Sequence, residues 1–318
     1  MKRSWKPCLL VLALAAAWSI GAPQGSADPG LLLIAHGSPS RQWNEPVLEL
    51  GRRVAAEAQK LGRFRAVRTA MLEAAQPDVA TAVAELEREG CDRIVAVPLF
   101  IAPSGHSHFD VPAVLGIYSS PTTVAALAEE GAVAARPSVP VTLTQTLSEG
   151  RLLATYTLDE VRKLSTSPGD EALVLLAHGD SDHGALVDRL MRQIATYCCG
   201  QAGISYGDWA YVAVGQEYLS RGVPVIQNAL KHRKRVLVVG VYLSLTASRL
   251  HERRARTAQH GRAESDLLAS QDVAFSETAV VDHPELVSWI LDAAGAALGP
   301  VGDGQPVAAA QASDHPVR

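Results

Sequence analysis

Short continuous apolar runs alternate with amphipathic stretches along most of the chain. Leu31 to Ala35 is apolar throughout, as expected of a strand buried on both faces. Gly37 to Asn44 is rich in turn formers and reads as a loop. Pro46 to Leu61 then places Val47, Leu50, Val54, Ala58 and Leu61 at helical spacing, with charges between them. Arg65 to Leu72 reads as a second strand, and Pro77 to Glu89 as a helix with proline in its first turn. Gly90 ends that helix. Ile94 to Phe100 is a third strand; after a long loop come a fourth at Val139 to Leu147 and a closing helix at Leu152 to Leu164. Strand–helix alternation of this kind predicts a parallel sheet covered on both faces.

The pattern then repeats. Leu32-Leu33-Ile34-Ala35-His36-Gly37 returns 142 residues later as Val174-Leu175-Leu176-Ala177-His178-Gly179. Ile94 to Phe100 returns at the same offset as Val236 to Tyr242. Between the copies, Ser165 to Asp170 is a polar linker and the expected domain boundary. The second half carries strands at Leu173–Ala177, Trp209–Val214 and Val236–Tyr242, and helices at Gly184–Tyr197, Val223–Leu230 and Pro284–Leu298. The expected organisation is therefore α/β. Two tandem units span residues 30–164 and 171–298, each a short, mostly parallel sheet flanked by helices, facing each other across a cleft. Gly299 to Arg318 lacks a periodic apolar face and reads as a disordered tail.

Composition adds little until the N-terminus is considered. Lys2, Arg3 and Lys6 precede a 13-residue apolar stretch, Cys8 to Ile20, too short for a membrane span, and Gly25-Ser26-Ala27 supplies small residues. Residues 1–27 therefore read as a secretory signal peptide, with an uncleaved anchor as the alternative. The expected location is outside the cytoplasm, in a bacterial periplasm if the source is Gram-negative. A net charge of -4 gives no electrostatic case for nucleic acid, and no other run is long enough to span a bilayer. The cysteines beyond residue 27 are Cys91, Cys198 and Cys199. Vicinal Cys198-Cys199 reads either as a soft-metal or disulfide element, or as two thiols near a helix end.

Ligands of open parallel sheets bind beyond the carboxyl ends of the strands. His36 and His178 sit there, and so does the loop from Pro98 to Pro112, which holds His106, His108 and Asp110. Neutral imidazole serves as metal ligand or proton acceptor near neutral pH. Gly105 permits a tight backbone approach beside His106. Glu73 follows the second strand and is either a cleft carboxylate or an ordinary helix-entry acid. His106 and His108 read equally as solvated loop residues.

Three segments, Leu32 to Ser38, Leu72-Glu73 through Pro77, and Pro98-Leu99-Phe100 through Gly105-His106 to Asp110-Val111-Pro112, resemble the sirohydrochlorin cobaltochelatase family of class II chelatases, the CbiX type. The resemblance covers residues 30–160 well and 170–298 more weakly. It implies insertion of a divalent metal (cobalt, iron or nickel) into sirohydrochlorin or a related tetrapyrrole, without ATP and without a prosthetic group. The metal and the tetrapyrrole are substrates. By resemblance His36 and His106 are the active-site histidines and Glu73 an acid on the cleft wall, with His108 an additional ligand outside the core pattern. Ser38, Arg41, Gly105, Ser107 and His178 are carried as cleft residues. Arg41, Arg52 and Arg53 are either partners for substrate carboxylates or solvated surface charges.

The second copy departs from the pattern. At the constant offset His106 falls on Ser248, His108 on Leu250, Asp110 on Glu252 and Glu73 on Gly215. The expectation is one working site in the first unit, with the second forming the opposite wall. Two other readings stand beside the chelatase. One is an exported tetrapyrrole or metal carrier without turnover. The other is a histidine phosphatase, which calls for arginine where Ala35 and Ala177 precede the histidines.

Overall fold

A computed structural model describes residues 28–118, 120–257 and 272–299. The expected signal peptide and the tail beyond Gly299 lie outside the described residues. The first sheet holds β1 (Pro29–Ala35), β2 (Ala66–Met71), β3 (Arg93–Pro98) and β4 (Val141–Leu143) in the order β2-β1-β3-β4. The second holds β5 (Glu171–Ala177), β6 (Gly207–Tyr211), β7 (Arg235–Val241) and β8 (Val273–Phe275) in the order β6-β5-β7-β8. All strand pairs are parallel. The central strands β1 and β5 are buried along their whole length, which is why both read as unbroken apolar runs.

Side-chain alternation along these strands divides the interior into three regions. Leu31, Leu33 and Ala35 point into the same core as Leu173, Leu175 and Ala177. Leu32 and Ile34 point away, into a core confined to the first unit. Ala172, Val174 and Leu176 point into a core built by the second unit, against which Ile101 of the first also packs. The inner faces of the two sheets thus share one continuous hydrophobic core.

Two helices cross between the units to build it. The helix expected to close the first unit, α5 (Leu152–Leu164), instead packs on β7 and on α6 (Gly184–Ala202) of the second. Its Tyr156 hydroxyl lies between the carbonyls of Gly240 (3.0 Å) and Thr278 (2.9 Å). The last helix, α9 (Glu285–Ala297), returns to pack on β3 and on α1 (Arg41–Leu61) of the first unit. An amphipathic stripe specifies that a helix buries one face; it does not specify which sheet receives it.

Other departures are local. α1 begins at Arg41, five residues before the expected start, with Ser40 as its N-cap and Pro46 inside the helix. The expected strand at 139–147 shortens to β4, and β8 is an edge strand absent from the expected set. The other helices are α2 (Val79–Arg88), α3 (Val111–Val114), α4 (Pro121–Glu129), α7 (Val223–His232) and α8 (Ala247–Thr257).

The polar linker is well anchored. Glu171, almost fully buried, accepts hydrogen bonds from Ser165 Oγ, the backbone N–H groups of Thr166 and Ser167, and Arg235. Burial alone would raise its pKa; these donors outweigh burial and hold it at about 2. Cys198 and Cys199 are free thiols with separate partners, the carbonyls of Ala154 and Tyr206. Burial pushes them up to about 12 and about 11. Among the described residues no helix is long and apolar enough to cross a membrane.

Candidate functional site

The strand order changes direction between β1 and β3, and a crevice opens beyond the carboxyl ends of strands at such a point. His36 leaves β1 there. The next residue, Gly37, is left-handed (φ 94°), and a Cβ on it would lie 2.0 Å from the Glu73 carbonyl oxygen. Only glycine lets the β1 and β2 tips come this close. The Glu73 N–H in turn donates to the His36 carbonyl at 3.0 Å.

The side chains meet above that turn. His36 Nε2 is 3.3 Å from Glu73 Oε1, and the His36 and His106 rings stand edge-to-face with centroids 4.6 Å apart. Ligand atoms of His36, Glu73 and His106 all lie within 4.8 Å of one another. His106 opens a π turn (His106–Asp110) that follows β3 and runs into α3.

Both imidazoles are oriented from behind. His36 Nδ1 donates to the Gly37 carbonyl at 2.8 Å, and His106 Nδ1 lies 2.7 Å from Asp110 Oδ2. A carbonyl or a carboxylate can only accept, so Nδ1 carries a proton, and in the neutral imidazole the lone pair is then on Nε2. Backing of this kind fixes tautomer and ring direction at metal sites. Glu73 is pushed up to about 7, chiefly by burial and then by the Glu130 carboxylate, with the attraction of His106 acting the other way. Its Oε2 is buried without a hydrogen-bond partner among the described residues. The cluster therefore combines two imidazole nitrogen donors with a carboxyl group that gains and loses a proton near neutral pH.

The second unit repeats the backbone device without the chemistry. His178 Nδ1 donates to the Gly179 carbonyl at 2.8 Å, and Gly179 is left-handed (φ 82°). The residue whose N–H donates to the His178 carbonyl is Ala213, at 3.2 Å. Ala213 is thus the structural counterpart of Glu73. The constant offset pointed instead to Gly215, because Tyr211, not a residue further along, pairs with Ala177 as Met71 pairs with Ala35. The chain also turns left-handed one step earlier, at Ala213 (φ 49°) rather than at a residue like Ala74 (φ 57°). Ser248, opposite His106 in the repeat, lies in α8, where its N–H donates to the Ser276 carbonyl.

The tips of the two sheets face one cleft of about 760 Å³. His36, Glu73, His106 and Ser38 line it from one side and His178 from the other. Trp43, Phe100, Tyr211 and Tyr242 give it aromatic walls, and Arg221 and Glu217 supply charge from the second unit. Several expected cleft residues lie elsewhere. Arg41 is exposed at the start of α1, outside the lining. Arg52 pairs with Glu45 and Glu49, and Arg53 donates to the Val281 carbonyl. Ser107 is buried, with its hydroxyl bonded to the backbone of Ser104, and Gly105 is next to the lining without forming it. His108 is outside the cluster: two residues along a helical turn is about half a turn, which sends it away from His106.

Sequence reasoning missed the aromatic walls, Arg221, and Asp110 as the partner that orients His106. Two signals were available. Phe100 and Tyr242 occupy the same place in the repeated strand, and Asp110 stands four residues after His106, the spacing of neighbours on a helical face.

Comparison with known proteins bears on the same segments. Residues 30–164 match the CbiX family model. The sirohydrochlorin cobaltochelatase of Methanopyrus kandleri is 32% identical over 87 residues, 27% of this chain and 58% of that protein. That of Saccharolobus solfataricus is 35% identical over 88 residues, 28% of this chain and 64% of that protein. The chain thus spans about three fifths of the length of these curated relatives. Over both units the fold is similar to the sirohydrochlorin chelatase SirB of Bacillus subtilis subspecies spizizenii in complex with cobalt (TM-score 0.59, 15% identity, 86% of this chain and 97% of that one). It is similar also to SirB of Bacillus subtilis with Fe3+ (TM-score 0.61, 16% identity, 86% and 96%).

Proposed function

We propose, on the premise that residues 30–164 belong to the CbiX family of chelatases, that the whole chain inserts a divalent metal ion into sirohydrochlorin or a closely related tetrapyrrole. The observation that carries this reading is the His36–Glu73–His106 cluster, with its ligand atoms within 4.8 Å of one another on the wall of a cleft shared by both units. Imidazole suits cobalt, iron and nickel alike, and cobalt is the metal named for the curated relatives.

The residues divide the work by chemistry. The Nε2 atoms of His36 and His106 hold the ion from one side and replace part of its water shell. The macrocycle lies between the aromatic walls with its pyrrole nitrogens towards the cluster, and Arg221 meets one of its carboxylates. Insertion displaces two pyrrole protons. Glu73, poised near neutrality by its burial, takes a proton as a general base and releases it towards solvent. An imidazole freed as the metal passes to the pyrrole nitrogens takes the other. No step calls for nucleotide.

The test is direct. Purified protein, sirohydrochlorin and Co2+ are mixed and the absorbance of the macrocycle is followed. Catalytic turnover that collapses in His36→Ala and His106→Ala is expected. Stoichiometric uptake of tetrapyrrole without turnover would overturn the enzymatic reading in favour of a carrier.

A further inference from the structure

Outside the cleft lining the two units meet through another pair of imidazoles. The His108 ring, on the π turn of the first unit, lies 6.0 Å between centroids from the ring of His183, the residue that precedes α6 in the second. Phe109 also packs on His183, at 6.4 Å. His183 is oriented by Asp180: its Nδ1 is 3.1 Å from Asp180 Oδ1, and that same oxygen accepts the backbone N–H groups of His183 and Asp182. The carboxylate accepts, so Nδ1 of His183 carries a proton, and in the neutral imidazole the lone pair is then on Nε2. All three of these bonds use Oδ1.

We propose that His108 and His183 bind one divalent transition-metal ion between the two units, at a site separate from the His36–Glu73–His106 cluster. The two rings are within reach of one ion. With metal–nitrogen bonds of about 2.1 Å, imidazoles on opposite sides of an ion have centroids roughly 6.4 Å apart and imidazoles at the tetrahedral angle roughly 5.2 Å, so the observed separation lies between the two and a tetrahedral ion would draw the rings closer by somewhat under about 1 Å. The arrangement behind His183 fits as well, since a carboxylate behind an imidazole is the usual support of a metal-bound histidine. The site also lies where an ion has an effect. Asp180 and Ser181, just before His183 in the chain, line the cleft, as does His106, two residues before His108. An ion held there ties the units together next to the cleft lining and keeps a metal beside the cluster. Helical geometry points His108 away from His106, and the second unit supplies the partner it then meets.

The inference concerns binding alone and does not depend on turnover, so it fails or stands separately from the chelatase reading. The full chain carrying His36→Ala and His106→Ala is titrated with Co2+, read by calorimetric stoichiometry and by the visible absorption of bound cobalt. One Co2+ per chain is expected to remain. Adding His108→Ala or His183→Ala is expected to abolish it, and Asp180→Asn to weaken it by about 10- to 100-fold. His183→Gln repeats the loss with a side chain of similar size, and circular dichroism of each variant separates loss of the site from loss of the fold. No Co2+ bound by the His36→Ala, His106→Ala protein overturns the proposal, as does binding that survives the removal of both His108 and His183.

Discussion

At the tip of β1, His36 has a carboxyl group and a second imidazole within ligand distance. At the tip of β5, His178 is held by the same hydrogen bond to the following glycine, at the same 2.8 Å, and has Ala213 and Ser248 where those partners stand in the first unit. The backbone device has been kept in both copies while the chemistry resides in one. A histidine followed by a left-handed glycine is therefore a way of ending a central strand next to its neighbour; it becomes a reactive site only when the adjoining strand tips add donors. The second unit adds walls, with Tyr211, Tyr242 and Arg221 facing the cluster across the cleft.

The widest expected difference between the tips is in rate. His36→Ala or His106→Ala should lower metal insertion by about 10²- to 10⁴-fold, whereas His178→Ala should cost about threefold, within the range of a lost exposed contact. Steady-state assays with sirohydrochlorin and Co2+ check this. Equal losses from His36→Ala and His178→Ala would erase the asymmetry.

Next comes the turn itself. Gly37→Ala places a methyl group 2.0 Å from a backbone oxygen, and Gly179→Ala places one 2.8 Å from the Cβ of Tyr211, both in left-handed backbone. A side chain can give way and a backbone carbonyl cannot. We expect Gly37→Ala to lose about 2–4 kcal/mol of stability and Gly179→Ala about 1–2 kcal/mol. Urea unfolding measures both, and the reverse order would show that the two turns are not built alike.

The acid present at one tip alone has a pH signature. Glu73 titrates at about 7 in the fold, against 4.5 for a free glutamate, chiefly because it is buried. Between those values the folded chain holds a proton that the unfolded chain has released. Stability contributed by this group is therefore complete below about pH 4.5 and is lost as pH rises to about 7. Glu73→Gln removes that loss. In the metal-free protein the variant should match the parent near pH 4 and exceed it by about 1–2 kcal/mol at pH 8, after allowance for solvent screening of a partly accessible group. Parallel stability curves for the two proteins would contradict this.

The smallest effect concerns the wall. Arg221 lines the cleft and is paired with Glu217 at 3.3 Å. Arg221→Ala should raise KM for the tetrapyrrole about three- to tenfold and leave kcat nearly unchanged, the pattern of an interaction made equally in ground and transition states. A fall in kcat alone would move Arg221 from substrate binding into the chemistry.

Much of this arrangement was readable before folding. The strands announce themselves because a strand buried on both faces must be apolar throughout, and the duplicated Leu32–Gly37 phrase revealed two units and both histidines. Glu73 and His106 followed from their places after β2 and β3, and Asp110 was noted beside them without its role in orienting His106. The arginines stayed open between two readings, because Arg41, Arg52 and Arg53 look alike in sequence whether they face the cleft, a carboxylate on their own helix or a carbonyl of the other unit. His108 misled for a similar reason: it is near His106 along the chain and turned away from it in space.

Sequence alone determined the α/β class, the duplication, and which residue types stand at the strand tips, because each of these depends on local periodicity or on the order of residues. Tertiary structure alone decided that α5 and α9 exchange partners, that Ala213 rather than Gly215 answers to Glu73, and that His108 meets His183. Those outcomes depend on which surfaces bury each other and on how many residues each turn uses. Both are settled by packing between segments far apart in the chain, which local patterns do not encode.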